Sequence, residues 1–158
     1  MSQNTSGRAA DLQRWPCLHA IGGLGWGVDW KTAQDWLDRY VDAWMSYDPD
    51  DISGLFSEDV AYRYHPFDEP IVGLDAVVAS WLGETASGEA SDRDTPGTYE
   101  AEYSPVAVDG DTVVATGTSR YRELAGGPVV RTYENCFVMR FDGEGRCREF
   151  TEYYMRRP

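Results

Sequence analysis

The stretch from Gln34 to Leu82 changes its hydrophobic period twice, and this pattern constrains the fold more than any other part of the sequence. Apolar residues first recur at helical spacing, then alternate over residues 60–64, and return to helical spacing from Leu74. Many of these apolar residues are aromatic. The pattern predicts two helices, a strand and a third helix around a core that is rich in rings.

Capping residues set the expected helix starts. Thr32 and Asp35 have cap spacing, so the first helix is predicted to begin near Thr32. The predicted apolar stripe of this helix consists of Leu37, Tyr40, Val41, Trp44 and Met45. Asp48 followed by Pro49 predicts the start of a second helix, and the third is expected directly after Gly73.

The chain beyond residue 97 reads as antiparallel strands. Strands are predicted over 98–108, 112–124, 129–141 and 146–156, separated by glycine-containing turns. Pro105 predicts a bulge or an edge position in the first of them. Residues 83–97 are small and polar, which predicts a surface loop. Helices followed by a run of strands are typical of an α+β fold.

Composition limits the classes of function. The chain has 158 residues and a net charge of −13, so binding to nucleic acid or to an anionic membrane surface is disfavoured. The 3 cysteines give no disulfide framework, which favours reduced thiols and a cytoplasmic location. Residues 1–29 are expected to form a flexible tail or a packed arm, and residues 30–158 one domain. The sequence also lacks the His-x-His and Cys-x-x-Cys spacings of metal sites, so no metal is expected.

The last hairpin carries the most informative ionisable residue. A four-residue turn at 142–145 predicts that Asn135 lies opposite Glu152, and Phe137 opposite Phe150, on one face of the sheet. A carboxyl group among rings would have a raised pKa and could act as an acid or a base near neutral pH. The alternative is a structural Glu152 that is hydrogen-bonded to Asn135 or to a tyrosine, without turnover.

His65 is the second candidate for proton transfer, because imidazole titrates near neutral pH. A loop histidine that caps a backbone carbonyl is the alternative. Tyrosine hydroxyls could polarise a substrate oxygen, and the aromatic side chains could form the walls of a pocket. The predicted substrate-binding residues are Asn135, Trp44, Tyr62, Tyr64, Phe67, Tyr121, Tyr133, Phe137, Phe150 and Tyr154.

Four segments carry a resemblance to a known family: LDRYVDAW, DPDDISGLFSEDV, YRYHPFDEPIVG and NCFVMRFDGEGRCREFTEYY. Together they resemble the nuclear transport factor 2-like superfamily and, within it, its SnoaL-like branch. The resemblance implies a cone-shaped α+β barrel, in which three N-terminal helices pack on a strongly curved, mainly antiparallel sheet around an internal pocket. It also implies a homodimer that forms through the outer face of the sheet.

This superfamily includes isomerases, cyclases, dehydratases, epoxide hydrolases and non-catalytic members, so the fold alone does not assign a function. The helix tyrosine of ketosteroid isomerases matches Tyr40. Their general-base aspartate falls at Tyr64 or His65, and their protonated aspartate falls near Phe137, so that mechanism is not expected here. The sequence predicts a cofactor-independent protein that binds an apolar, oxygenated small molecule, with Glu152, His65 and Tyr40 as catalytic candidates.

Two alternatives remain open at this point. One is a non-catalytic ligand-binding or dimerisation module. The other is an epoxide hydrolase-like enzyme that activates water between an aspartate, an asparagine and an arginine. The latter would require Arg131 to lie on the same face as Asn135.

Overall fold

The computed structural model describes residues 27–83 and 94–158, which form three helices and six strands. The helices are α1 (Trp30–Ser46), α2 (Pro49–Ser53) and α3 (Leu74–Trp81). The strands are β1 (Phe56–Arg63), β2 (Ile71–Val72), β3 (Tyr99–Asp109), β4 (Thr112–Arg122), β5 (Val129–Phe141) and β6 (Cys147–Arg156). They form one open sheet in the order β2-β1-β6-β5-β4-β3, antiparallel except between β1 and β6. The predicted cone-shaped α+β fold is confirmed.

The helix starts agree with the sequence at α2 but not at α1. The backbone N–H of Thr32 donates to the carboxylate of Asp29 at 2.7 Å, so Asp29 is the cap and Thr32 already lies inside the helix. The helix therefore begins at Trp30, two residues before the predicted Thr32, and the predicted cap was wrong. At α2, Asp48 accepts from the N–H of Asp50 at 2.8 Å, as predicted. No helix in the two described ranges is long and apolar enough to cross a membrane.

The ends of the described ranges bear on two predictions. Residues 1–26 of the predicted tail and residues 84–93 of the predicted loop lie outside the described part of the chain. Val28 is buried, and its N–H donates to the carbonyl of Gly110 at 3.0 Å. Pro105 lies on the edge strand β3 at a register shift, so both readings of this proline are confirmed.

The register of the last hairpin differs from the prediction by two residues. Phe137 lies opposite Glu152 rather than Phe150, and Asn135 lies opposite Tyr154 rather than Glu152. The turn is one residue longer than predicted, and Arg148 forms a bulge that adds another. Because side chains alternate, a shift of two residues keeps the same face inward. The predicted partners were wrong, whereas the predicted inward residues were right.

The inner face of the sheet, which meets the helices, has two halves. In the closed half, the inward residues are buried and apolar on every central strand: Val113 and Ala115 on β4, Phe137 and Met139 on β5, and Phe150 on β6. In the open half, the same strands continue with Ser119 and Tyr121, with Asn135, Tyr133 and Arg131, and with Glu152 and Tyr154. One change of residue type on each strand therefore divides a packed core from a polar region.

Candidate functional site

The open half of the inner face contains a cavity of about 460 Å³. Its aromatic wall consists of Trp44, Tyr64, Tyr121, Tyr133 and Tyr154. Its charged and amide groups come from Asp94, Arg122, Glu123, Arg131, Asn135 and Glu152. Ser119, Thr95 and Thr98 add hydroxyl groups. The wall is thus more polar than the apolar pocket that the sequence suggested.

Glu152 is the acidic residue of this cavity whose pKa burial raises most clearly. It follows Phe150 on β6, lies opposite Phe137, and its carboxyl makes no hydrogen bond to any described residue. Burial alone raises the pKa of Glu152 to about 7. A carboxyl group with this pKa exists in both protonation states near neutral pH, which suits proton transfer.

Tyrosines surround Glu152. Burial is the main cause that raises their pKa values, and the negative charge of Glu152 adds to the rise at each of them. The tyrosines concerned are Tyr40, Tyr62, Tyr64, Tyr99, Tyr103, Tyr121 and Tyr154. Their phenols therefore stay protonated, and they can donate hydrogen bonds but do not remove protons near neutral pH.

Asn135 is held by two hydroxyl groups. Its amide nitrogen donates to Ser119 Oγ at 3.0 Å and to Tyr103 Oη at 3.2 Å, and its side chain is buried. Gly117 makes room for this arrangement, because a Cβ there would lie 2.4 Å from Cδ1 of Tyr103. Ser119 accepts from Asn135 and also interacts with the hydroxyl of Tyr103, so the three side chains form one polar cluster in which Ser119 and Asn135 border the cavity.

Two groups close the rim of the cavity. Asp94 accepts from the indole N–H of Trp44 at 3.2 Å and from the hydroxyl of Tyr47 at 3.4 Å, so Asp94 is held against the C-terminal end of α1. The guanidinium carbon of Arg131 lies 4.7 Å from the ring centre of Tyr121. Arg131 and Asn135 line the same cavity, so the condition set for the epoxide hydrolase alternative is met.

His65 does not line the cavity. With Phe67, it lines a groove of about 810 Å³ on the outer face of the sheet. The Nε2 atom of His65 lies 2.7 Å from the hydroxyl of Tyr154, and its Nδ1 atom lies 2.8 Å from Oδ2 of Asp68. Tyr154 and Asn135 line both the cavity and the groove, and of these two Tyr154 is the one that contacts His65. The structure does not bring Glu152 and His65 together in one pocket.

Four further predicted residues lie in the closed half, beneath the cavity rather than around it. Tyr40 stacks on Phe150 at 5.6 Å between ring centres, and Tyr62 stacks on Phe150 at 4.7 Å. Phe137 packs against the same ring at 5.0 Å. Tyr40 is not among the residues that line the cavity, so the catalytic role predicted for it finds no support in its position.

Sequence reasoning missed some of the cavity residues. Ser119 follows the same alternation as Tyr121, so the pattern of β4 carried a signal for it. β1 ends at Arg63, so strand alternation gave no signal for the outward position of His65. No sequence pattern pointed to Asp94, because its position depends on tertiary contacts with Trp44 and Tyr47.

Comparisons with known proteins agree with this geometry at the level of the fold. Residues 37–150 match the SnoaL-like domain family, and the chain therefore belongs to that family. A protein from Kribbella flavida DSM 17836 that was proposed to be a ketosteroid isomerase matches with a TM-score of 0.56 and 13% identity, over 80% of each chain.

An LEH-like epoxide hydrolase from M. tuberculosis matches with a TM-score of 0.53 and 19% identity, over 79% of this chain and 84% of its own. No curated protein matches this chain at a significant level. At these identities the two structures share the fold, and neither assigns a reaction to this chain.

Proposed function

We propose that the chain binds a small, oxygenated molecule in the cavity and that Glu152 acts on it as a general base. The observation that carries this proposal is a partly buried carboxyl with a pKa of about 7, without a hydrogen bond to any described residue, on the wall of a cavity of about 460 Å³. That volume falls within the range of small-molecule sites, which is about 300–1,000 Å³. The rings of Trp44, Tyr64 and Tyr121 favour a flat, apolar body with polar substituents.

The reaction class is a proton transfer without a cofactor: an isomerisation, a dehydration or a cyclisation. The Glu152 carboxylate would remove a proton from a carbon next to a carbonyl, and the electron pair would move onto the carbonyl oxygen. Ser119 lines the cavity and would donate a hydrogen bond to that oxygen in place of its contact with Tyr103, while it still accepts from Asn135. Asn135 then acts through Ser119 rather than by touching the ligand.

A binding screen with two variants tests this proposal. Thermal shifts would be measured with aromatic polyketides, terpenoids and steroids for the wild type, Glu152→Gln and the control Glu149→Gln on the outer face. Each stabilising ligand would then be incubated in D₂O, and exchange of its acidic C–H groups would be followed by NMR. We expect exchange with the wild type and the control, and a loss of about 100-fold or more in Glu152→Gln.

The same experiment separates the proposal from a non-catalytic role. A ligand that binds equally to the wild type and Glu152→Gln, and that exchanges no proton with either, would make the chain a binding module. If no ligand in the screen stabilises the wild type and no proton exchange occurs with any of them, the assignment of the cavity as a ligand site is wrong.

A second candidate is the opening of an epoxide by water, with Arg131, Asn135 and Glu152 on one cavity wall as the favouring observation. Glu152 would take a proton from a water molecule whose oxygen attacks the epoxide carbon, and the released alkoxide would be protonated to give a diol. Incubation of an epoxide in H₂¹⁸O tests this, because a single ¹⁸O atom in the diol is expected. An unreacted epoxide excludes it.

We also infer that two copies associate through the outer face of the sheet. Phe67, Tyr153 and Met155 are exposed side chains along the outer groove, and Met155 is 73% exposed. Sedimentation velocity should show a dimer that Met155→Lys dissociates, whereas Met45→Lys on α1 leaves it intact. A wild-type monomer at high concentration would contradict this inference.

Cys136 and Cys147 are free thiols, which supports a reducing compartment such as the cytoplasm.

A further inference from the structure

Three polar side chains connect the outer groove to the cavity. Asp68 and His65 lie on the loop after β1, and their side chains are about one third exposed, at 37% and 36%. Tyr154 lies on β6, and its ring packs edge-on against Tyr133 at 5.4 Å between centres. The His65 ring is stacked on Phe67 at 5.2 Å and tilted against Tyr154 at 5.0 Å. Rings on both sides therefore fix the imidazole between Asp68 and Tyr154.

The two hydrogen bonds of His65 determine its tautomer. A carboxylate only accepts hydrogen bonds, so the Nδ1 atom that faces Asp68 carries the proton. In neutral His65 the Nε2 atom is then a bare acceptor, and the hydroxyl of Tyr154 donates to it. The Tyr154 proton is thus directed away from the cavity, and only the lone pairs of its oxygen are available there.

Protonation of His65 reverses this bond. An imidazolium donates from both nitrogens, so Nε2–H would donate to the oxygen of Tyr154 and release the phenol proton. Because Tyr154 also lines the cavity, the released proton can be donated to a group inside it. Asp68 compensates the positive charge that His65 gains.

We propose that the Asp68–His65 pair sets the direction of the Tyr154 hydrogen bond, so that Tyr154 becomes a donor to the cavity when His65 is protonated. This inference rests on the proposed function of the cavity, and it makes His65 a positioning residue that acts through Tyr154. Tyr154 would then give its proton to an oxyanion of the ligand and receive one from Nε2 of His65. The neutral imidazole that remains regains a proton from water in the outer groove, which the proposed dimer contact at Phe67, Tyr153 and Met155 must leave open beside His65.

The charges around His65 are compatible with this switch. On its own loop it faces Asp68, and on β6 it faces Tyr154, with Tyr153 along the same groove. From β5, Glu134 and the thiol of Cys136 line the groove. Glu134 also accepts from Arg157 and from Thr118, which reduces its effect on the imidazole. Burial and then the charge of Glu152 raise the pKa of Tyr154, so the two groups interact across the cavity.

Two NMR observations without any ligand test the switch, so it can fail independently of the reaction. The first is the tautomer of His65 from its ¹⁵N shifts, with His65→Gln to assign the signals, since the chain has 2 histidines. We expect a proton on Nδ1 in the neutral wild type. In Asp68→Asn we expect a shift toward the form with a proton on Nε2, because an asparagine amide can donate to Nδ1. A neutral wild type with its proton on Nε2 would overturn the proposal.

The second observation is the ¹³C titration of the Glu152 carboxyl. In the wild type we expect a step that follows the protonation of His65, because reorientation of the Tyr154 hydroxyl changes the electrostatic field at Glu152, with which Tyr154 interacts. In Tyr154→Phe that step should be lost while His65 still titrates. If the step persists in Tyr154→Phe, or never occurs in the wild type, His65 does not act through Tyr154 and the proposal is wrong.

Discussion

The closed and open halves of the inner face share the same strands and similar aromatic residues, but the closed half forms the core and the open half forms the cavity. In the closed half, Trp36, Tyr62 and Phe150 are fully buried, and the ring of Phe150 stacks on Tyr62 and packs against Trp36, which leaves no room for a ligand among them. In the open half, the rings of Tyr121, Tyr133 and Tyr154 stand around a cavity beside ionisable groups. The comparison teaches that density of aromatic residues marks the core of this cone, whereas the change to polar residues marks its site.

The largest effect should come from truncating a ring in the closed half. Phe150 is fully buried and contacts the rings of Trp36, Tyr40 and Tyr62, so Phe150→Ala should lower the free energy of unfolding by about 4 kcal/mol. In the open half, Tyr121→Ala should cost at most about 2 kcal/mol, because its ring already borders a cavity. Urea unfolding measures both, and equal losses would contradict the division into two halves.

Replacing Glu152 should change stability in the opposite direction. The pKa of Glu152 rises from 4.5 to about 7 on folding, so the native state binds more protons between these values and stability falls as the pH increases through them. Above that range Glu152→Gln should therefore be more stable than the wild type by roughly 2 kcal/mol, after partial exposure is taken into account. Below about pH 4 the two should converge. Melting temperatures of the wild type and Glu152→Gln, measured from about pH 4 to about pH 8, give the comparison. The same pH dependence in both proteins would contradict a buried carboxylate.

Gly117→Ala should disturb the boundary between the halves. The new Cβ would lie 2.1 Å from the carbonyl oxygen of Glu102 and would displace Tyr103, which holds Asn135. We expect a loss of about 2 kcal/mol in unfolding free energy, while Thr116→Ala on the outer face should cost less than about 1 kcal/mol. Equal effects in the two variants would mean that the sheet tolerates the extra methyl group without moving Tyr103.

The smallest effect is expected at the rim. Arg131 is exposed and its cation packs on the ring of Tyr121, so Arg131→Met should change the free energy of unfolding by less than about 1 kcal/mol. Thermal unfolding at low and at high salt would measure this change. A loss as large as that of Phe150→Ala would show that the open half also belongs to the packed core.

Much of the fold could be predicted from the sequence because it depends on patterns among residues that are close together in the chain. The cap at Asp48, the start of α3 after Gly73 and the bounds of β5 at Val129 and Phe141 all follow from capping and alternation. The register of the last hairpin depends on the length of its turn and on the bulge at Arg148, and neither follows from capping or from alternation. Arg148 bulges where its guanidinium reaches Asp111 at 2.9 Å, a residue on a distant turn.

The site was only partly predictable for the same reason. Alternation on β5 and β6 placed Asn135 and Glu152 inward without knowledge of their partners. Whether a ring lines a cavity or fills the core depends on how far the helices pack along the strands. Tyr40 and Tyr64 therefore look alike in the sequence, although Tyr40 is buried in the closed half and Tyr64 lines the cavity.

The most direct test is the pKa of Glu152, measured from its side-chain carboxyl ¹³C shift with Glu152→Gln to identify the signal. Glu149 on the outer face of the same strand serves as an internal reference. A pKa of about 7 for Glu152 would support a general base that the fold partly shields from water. A pKa close to its ordinary value of 4.5 would contradict it, because the carboxyl would then be ionised and hydrated throughout the neutral range.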